Sequence, residues 1–346
     1  MTTKPDLLLS GNLPTGFTIR GATLDDVEPS LVLYNLWAQK VIGEDEINDA
    51  EVIRNEWVSP GFNPAEDIQL VFAPGGRLVG YIEAWTTAKP PVHPWIWGRV
   101  HPDYSNLGIG SWMLSWAERH VMPALQELSP ELRFAPHVGI HAQAKESQKL
   151  FKDFGYQYIR SSYEMHISME APPPAPVWPE GISIRTYNPE TDAEDVYLAD
   201  QDAFRDHFGF VEAPFAEGFE RFLHFMTGQK DFDPSLWYLA MDGNEIAGLC
   251  LCRRQAHDDP DMGYVGTLGV RRPWRKRGLG LAFLHHAFGE FYQRGKRKVS
   301  LGVDAESLTG ALRLYEKAGM HIHKQFDIFE KEIRPGKEIS VQSLED

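Results

Sequence analysis

One order of segments occurs twice in this chain, and that repetition limits its fold more than any single motif. Gly16-Phe-Thr-Ile-Arg20 returns as Gly181-Ile-Ser-Ile-Arg185, and Leu78-Val-Gly-Tyr-Ile-Glu-Ala84 returns as Ile246-Ala-Gly-Leu-Cys-Leu-Cys252. Gly108-Ile-Gly110 is echoed by Gly278-Leu-Gly280, and Phe151-Lys-Asp-Phe-Gly-Tyr156 by Tyr315-Glu-Lys-Ala-Gly-Met320. Four matches in the same order, about 165–170 residues apart, indicate two copies of one domain rather than a short-period solenoid. Between them lies Ala171-Pro-Pro-Pro-Ala-Pro-Val-Trp-Pro179, a run that can neither join a sheet nor continue a helix. The expected division is a first domain over residues 1–170, a linker over 171–180 and a second domain over 181–346. At 346 residues, each copy is long enough to bury its own core.

Composition narrows the function classes. The chain has 42% apolar and 24% charged residues and a formal net charge of −15, which argues against nucleic acid as a partner. Cys250 and Cys252 are the two cysteines; two apart on a strand, they point to one face and read as small apolar residues in a reducing cytoplasm. No Cys/His set has metal-ligand spacing, so no metal is expected. The N-terminal stretch lacks a signal-peptide core, and no apolar run approaches the ~20 residues of a membrane helix.

Each copy reads as β-α-α-β-β-β-α-β-α-β, a mixed sheet with helices on both faces. In the second copy a strand at Ile182–Thr186 leads to a helix at Asp192–Ala203. A hairpin then joins Trp237–Met241 to Glu245–Cys252 through Asp242-Gly243. The run Tyr264–Val270 ends at a basic, glycine-containing loop. Leu281, Leu284, Phe288, Phe291 and Tyr292 then recur at helical spacing up to Gly295. Lys298–Val303 is the next strand and Ser307–Lys317 the last helix, with Ser111–Gln126 as the long helix of the first copy.

A strand that ends in a glycine turn and enters a helix builds an anion site, because the first helical N–H groups lack internal partners and the dipole is positive there. Arg271-Arg-Pro-Trp-Arg275-Lys276-Arg277-Gly278-Leu279-Gly280 adds five cations in an acidic protein. A P-loop lysine is missing, and the glycine pair is too short for a dinucleotide fingerprint.

The segment Arg275-Lys-Arg-Gly278-Leu-Gly280 resembles the Arg/Gln-x-x-Gly-x-Gly/Ala loop of the GNAT superfamily of acyl-CoA N-acyltransferases. Leu268-Gly-Val-Arg-Arg-Pro273 is similar to the strand and Val-x-Pro entry before that loop, with one extra residue before the proline. Ala311-Leu-Arg-Leu-Tyr315-Glu-Lys-Ala-Gly319-Met320 looks like the family's Ala-x-x-Leu-Tyr-x-x-x-Gly-Phe segment. The resemblance covers most of residues 181–332 and, more weakly, 16–168, and it implies two tandem α/β domains, each a mixed, mostly antiparallel sheet. It also implies that N–H groups from Arg275 through Lys276, Arg277, Gly278, Leu279 and Gly280 to Leu281 hold the CoA pyrophosphate. The strand carrying Leu268, Gly269 and Val270 would pair with pantetheine. Leu268 would supply an oxyanion donor and Tyr315 would protonate the leaving thiolate.

The family pattern is not followed throughout. Its strand glutamate, a general base, is replaced at about Tyr264, which leaves Asp259, Asp261, Asp206 and His207 as open alternatives. Phe208 and Phe210, beside Gly209, read as a pocket wall, whereas Phe215, Phe219 and Phe222 read as core. Ser307 stands where the family keeps an asparagine and can cap the last helix. In the first copy Ser105 replaces the loop's basic residue and Phe151 the tyrosine. Val100, Gly108, Ile109 and Gly110 remain as a second CoA site without chemistry.

The expected function is therefore a cytoplasmic N-acetyltransferase, monomeric or homodimeric. Its second copy would transfer acetyl from acetyl-CoA to a primary amine of a small molecule or peptide, by direct attack. The alternative is a non-catalytic acyl-CoA-binding or regulatory module. No membrane partner is expected, and the acidic surplus suits a cationic acceptor.

Overall fold

The computed structural model describes residues 12–47, 49–229 and 232–343. The first repeat contains β1 (Thr18–Arg20), α1 (Val27–Val41), α2 (Ala50–Trp57), α3 (Pro64–Asp67), β2 (Ile68–Phe72) and β3 (Leu78–Trp85). It continues through β4 (Trp95–Val100), α4 (Ile109–Val121), α5 (Ala124–Glu127), β5 (His137–His141), α6 (Lys145–Asp153) and β6 (Gln157–Ser168). The second contains β7 (Ile182–Thr186), α7 (Ala193–Phe204), α8 (Phe215–Thr227), β8 (Trp237–Asp242) and β9 (Glu245–Arg253). There follow β10 (Met262–Val270), α9 (Leu279–Gln293), β11 (Lys298–Asp304), α10 (Ala311–Lys317) and β12 (His321–Glu330). The expected element order holds, with local changes. The long helix of the first repeat stops at Val121, just before Pro123, because a proline cannot supply the next helical N–H. The last helix starts at Ala311, whose N–H donates to Ser307 Oγ at 3.3 Å while Gly310 occupies the cap.

The chain folds as two compact units, and neither coincides with a repeat. One is the first repeat up to Ile159 together with Asp327–Glu338; the other is Arg160–Phe326 with residues from Ile339 on. The division thus falls inside β6 and β12. The proline run lies within the second unit, where Trp178 packs edge-on against Phe283 at 5.3 Å.

In the first unit the order is β1-β2-β3-β4-β5, followed by the Asp327–Glu330 part of β12. Pairing is antiparallel from β1 to β4 and parallel between β4 and β5. Tyr34, Ile53, Trp57 and Tyr81 build the core under α1 and α2. On α4, Met113 and Ile109 come so near Gly80 that a Cβ there would lie 2.9 Å from the Met113 sulfur.

In the second unit the order is β7-β8-β9-β10-β11-β6, followed by the His321–Phe326 part of β12, and from β7 to β6 the pairing is parallel only between β10 and β11. Alternation along β9 serves both faces. Leu249 and Leu251 meet Val196 and Ala199 of α7, whereas Cys250 and Cys252 belong to the core with Phe283 and Phe288 of α9. The two thiols are buried and free, 3.7 Å apart. Strand β6, between β11 and β12, obeys the same period: Tyr163, Met165 and Ile167 join the α9-side core, which leaves Ser162, Glu164 and His166 to the other face. Of the phenylalanines expected in the core, Phe222 packs against it beside Trp237, whereas Phe215 and Phe219 cover Tyr197 from outside, and α8 buries none of its residues fully. Among the described residues, no helix is long and apolar enough to cross a membrane.

Candidate functional site

At the end of β10 the chain turns through a loop into α9. Lys276 and Gly278 take positive φ, 60° and 94°, and Gly278 caps the helix with no side chain of its own. Ala282 is the first residue to bond back, donating to Gly278 O at 3.1 Å. The N–H groups of Leu279, Gly280 and Leu281 therefore have no acceptor within the helix, and the dipole adds to their pull on an anion. The two glycines have different tasks. A Cβ on Gly278 would meet nothing within 4 Å, so this residue faces open space; one on Gly280 would lie 2.7 Å from Leu314 Cδ2. Gly280 lets α10 pack against α9.

The cations divide similarly. Arg275 turns inward: its Nε donates to Val270 O and an Nη to Ala203 O, both at 2.9 Å, and both terminal nitrogens bond Asp206. Arg272 reaches the same carboxylate at 3.2 Å. Asp206 is 4% exposed. Burial would raise its pKa, but the bonds from Arg275 and the charge of both arginines hold it below the usual carboxylate range. Arg275 was expected on a phosphate and Asp206 near an acceptor; the structure makes them a clamp joining the end of β10, the end of α7 and the loop. Lys276 and Arg277 remain exposed, with Arg277 also donating to Glu180 O at 3.2 Å. His207 lies against Phe204, its Nδ1 buried without a hydrogen bond, and burial pushes its pKa down, so it is neutral near pH 7. The ring of Phe208 lies under the Arg160 guanidinium at 4.0 Å.

Beyond Val265 the two parallel strands part. β10 pairs with β11 only from Met262↔Lys298 to Val265↔Leu301, yet stays on β9 as far as Val270↔Gly248, with a bulge at Gly266. The stretch holding Leu268, Gly269 and Val270 is thus released from β11. Close by, Tyr315 of α10 is 7% exposed and belongs to the core with Cys250. Burial, then the neighbouring Cys250 and Tyr264, push its phenol well above the ordinary range, so it stays protonated and can give a proton to a stronger base.

On the α7 side of the sheet, Tyr264 reaches toward Gly302: a Cβ on that glycine would be 3.7 Å from the Tyr264 hydroxyl. Gly302 and Gly266 are both exposed in mid-strand, at the opening between β10 and β11. Opposite Gly302, on β6, stands Glu164. It bonds His166 Nε2, lies 3.9 Å from Lys324 Nζ, and His166 stacks on His323 at 4.0 Å. Sequence reasoning missed Glu164: its alternation marks a strand face, but nothing local says which strand will lie beside it. Asp200 of α7 was missed too; burial pushes its carboxyl up to about 6. Asp259 bonds the Asp261 N–H at 2.8 Å and so closes its own turn.

The first repeat keeps the loop's shape. Asn106 and Gly108 take φ of 61° and 82°, and Trp112 N–H donates to Gly108 O at 3.0 Å. Parallel pairing there stops at Ile96↔Val138. A cleft of about 600 Å³ opens between, lined by Val100, Ser105, Gly108, Gly110 and Phe151 among others; Ile109 is buried beneath. Two clusters of histidine and carboxylate, His93–His137–Glu330 and Glu164–His166–His323, bring ligand-type atoms together. In both, the imidazoles lie face to face, 20° and 17° from parallel, so their in-plane lone pairs do not converge as a metal requires.

Comparison with known proteins agrees with this geometry. The Acetyltransferase (GNAT) family model matches residues 194–320. A mycothiol acetyltransferase of Salinispora arenicola is 30% identical over 255 residues, covering 72% of this chain and 76% of the relative. The crystal structure of a GCN5-related N-acetyltransferase from Sphaerobacter thermophilus superposes with a TM-score of 0.79 at 35% identity, covering 96% of this chain and all of the other. A tandem GNAT protein from the clavulanic acid pathway shares the fold, with a TM-score of 0.65 at 17% identity over 93% of this chain and all of that one.

Proposed function

This chain belongs to the GNAT family of acetyltransferases, and from that premise we propose that its second repeat transfers acetyl from acetyl-CoA to a primary amine by direct attack in a ternary complex. The observation that carries this reading is a coincidence within one unit: an open helix N-terminus at Gly278 and a buried, protonated Tyr315 flank the parting of β10 and β11. The N–H groups of Leu279, Gly280 and Leu281 hold pyrophosphate oxygens, with Lys276 and Arg277 adding charge from outside. The released edge at Leu268–Val270 pairs with pantetheine amides, and the Leu268 N–H meets the thioester oxygen as negative charge develops there. Tyr315 gives its proton to the departing thiolate. Arg275 acts indirectly, by fixing the loop from beneath.

The acceptor is a small-molecule amine on this reading, supported by the mycothiol acetyltransferase relatives, and the net charge of −15 favours a cationic one. The first repeat holds acyl-CoA without turning it over: its cleft and helix start remain, but Phe151 has no proton to give. Free-thiol release from acetyl-CoA across a panel of primary amines, combined with calorimetric titration by CoA, tests both statements. CoA release above background with at least one amine is expected. A chain that binds CoA yet releases none with any amine would instead be the acyl-CoA-binding module.

A further inference from the structure

Direct attack needs a free amine, whereas a primary amine is mostly ammonium near pH 7, so a group must take its proton. Of the carboxylates first considered, Asp206 is engaged by Arg272 and Arg275 and Asp259 by its own turn, and Asp261 is exposed on that same turn ahead of β10. Of their neighbours, Asp258 is bonded by Lys324 and Asp304 by Arg160. Glu164 is placed differently. Its partner across the ladder is Gly302, the residue after the last β10–β11 pair at Leu301, so it stands where those strands open. Since Gly302 has no side chain, nothing on β11 stands between the Glu164 carboxylate and the gap, and the Tyr264 hydroxyl borders the same space. The Glu164 side chain is 20% exposed, enough for contact with a ligand.

We propose that Glu164 receives the acceptor's ammonium group and takes its proton, with His166 as the residue that positions it. This rests on the second repeat being the site of acetyl transfer. It gives the first repeat a part in that chemistry, since Glu164 is on the last strand of the first repeat while lying in the second unit. The step balances as follows. One proton passes from the ammonium to Glu164 and then to solvent. The amine lone pair forms the C–N bond, the C–S bond breaks, and the thiolate takes a proton from Tyr315, which is restored by the second proton lost from nitrogen.

The groups facing Glu164 are His166 on its own strand, His323 and Lys324 from β12, and Tyr264 from β10, with Asp258 bonded to Lys324. Burial opposes ionisation, but the bond to His166 and the charge of Lys324 outweigh it and hold the pKa below the usual value. Glu164 is therefore a carboxylate at the pH where an ammonium needs a partner.

Glu164→Gln in the full chain is the test, assayed by thiol release with 1,4-diaminobutane, glucosamine and a dipeptide amide. Near pH 7, kcat/KM is expected to fall about 100-fold or more, with the deficit shrinking as pH approaches the amine's own pKa. Acetyl-CoA affinity should be unchanged, and Glu164→Asp should recover part of the loss. A Gln variant with the parent rate and pH profile overturns the assignment, as does a deficit that persists at high pH alongside lost acetyl-CoA affinity. Asp200→Asn, the rival with a raised pKa, is expected to be near neutral; loss there with Glu164→Gln intact also overturns it. If the parent chain acetylates none of these amines, the premise of transfer fails separately. Calorimetric binding of 1,4-diaminobutane to the CoA complex then decides: about tenfold weaker binding in Glu164→Gln supports the assignment, and equal binding overturns it.

Discussion

The two glycine loops have nearly the same backbone and very different surroundings. Asn106 and Gly108 repeat the positive φ of Lys276 and Gly278, and Leu150 crowds Gly110 as Leu314 crowds Gly280. Behind the second loop Arg275 locks onto Asp206, whereas Ser105 takes that place in the first. There, His101 Nδ1 accepts the Asp103 N–H at 3.1 Å, and its Nε2 lies 2.7 Å from Arg77. The strand ahead of the second loop is bulged at Gly266, while β4 stays in unbroken register with β3. At the far side Tyr315 faces Cys250 and Tyr264, but Phe151 packs on Tyr156 and Phe329. The lesson is that the glycine-loop backbone recurs in both repeats, while the side chains behind and across from it differ.

Changes that strike one loop but not the other would break or sharpen this contrast. The largest effect is expected from Gly278→Val, which puts a branched side chain at φ 94° and into the open space before α9. It should lower kcat/KM for acetyl-CoA by at least about 100-fold, while Gly108→Val leaves turnover intact; equal losses in steady-state assays would abolish the distinction. Asp206→Ala comes next. It leaves Arg275 without its buried partner and should cost about 2–3 kcal/mol in urea unfolding, together with weaker acetyl-CoA binding. Ser105→Ala should change neither measurably.

The smallest effect separates the units by pH. Burial would raise the pKa of Glu330, but hydrogen bonds from Arg133 and His137 hold it at about 2. A carboxylate whose folded pKa lies below its unfolded value contributes stability above the ordinary glutamate range, lost as pH falls toward 2. Glu330→Gln should therefore be less stable than the parent at pH 6 by about 1 kcal/mol, discounting for solvent screening. The gap should narrow by pH 3, and a constant gap in urea titrations would reject the ion pair as its cause.

Much of this was legible in the sequence because it is local. Glycine spacing marked the loops, and alternation marked β9 and β10. Pairing over distance was not. Nothing in the segment from Arg160 to Ser168 says that it will border β11, so Glu164 was invisible as a site residue until the strands were placed. Side-chain direction was equally hidden. Arg275 looked like a phosphate ligand because its partner, Asp206, lies 69 residues away. Gly280 looked like room for a ligand because Leu314 could not be seen against it.

That the glycine-loop site beside Tyr315 carries acetyl transfer and its twin beside Phe151 only the shape is tested most directly at the tyrosine–phenylalanine pair. In Tyr315→Phe, kcat for thiol release should fall about 100-fold while calorimetric acetyl-CoA affinity stays within about twofold of the parent. Phe151→Tyr should add no turnover. Unchanged kcat in Tyr315→Phe, or activity gained in Phe151→Tyr, would contradict the division.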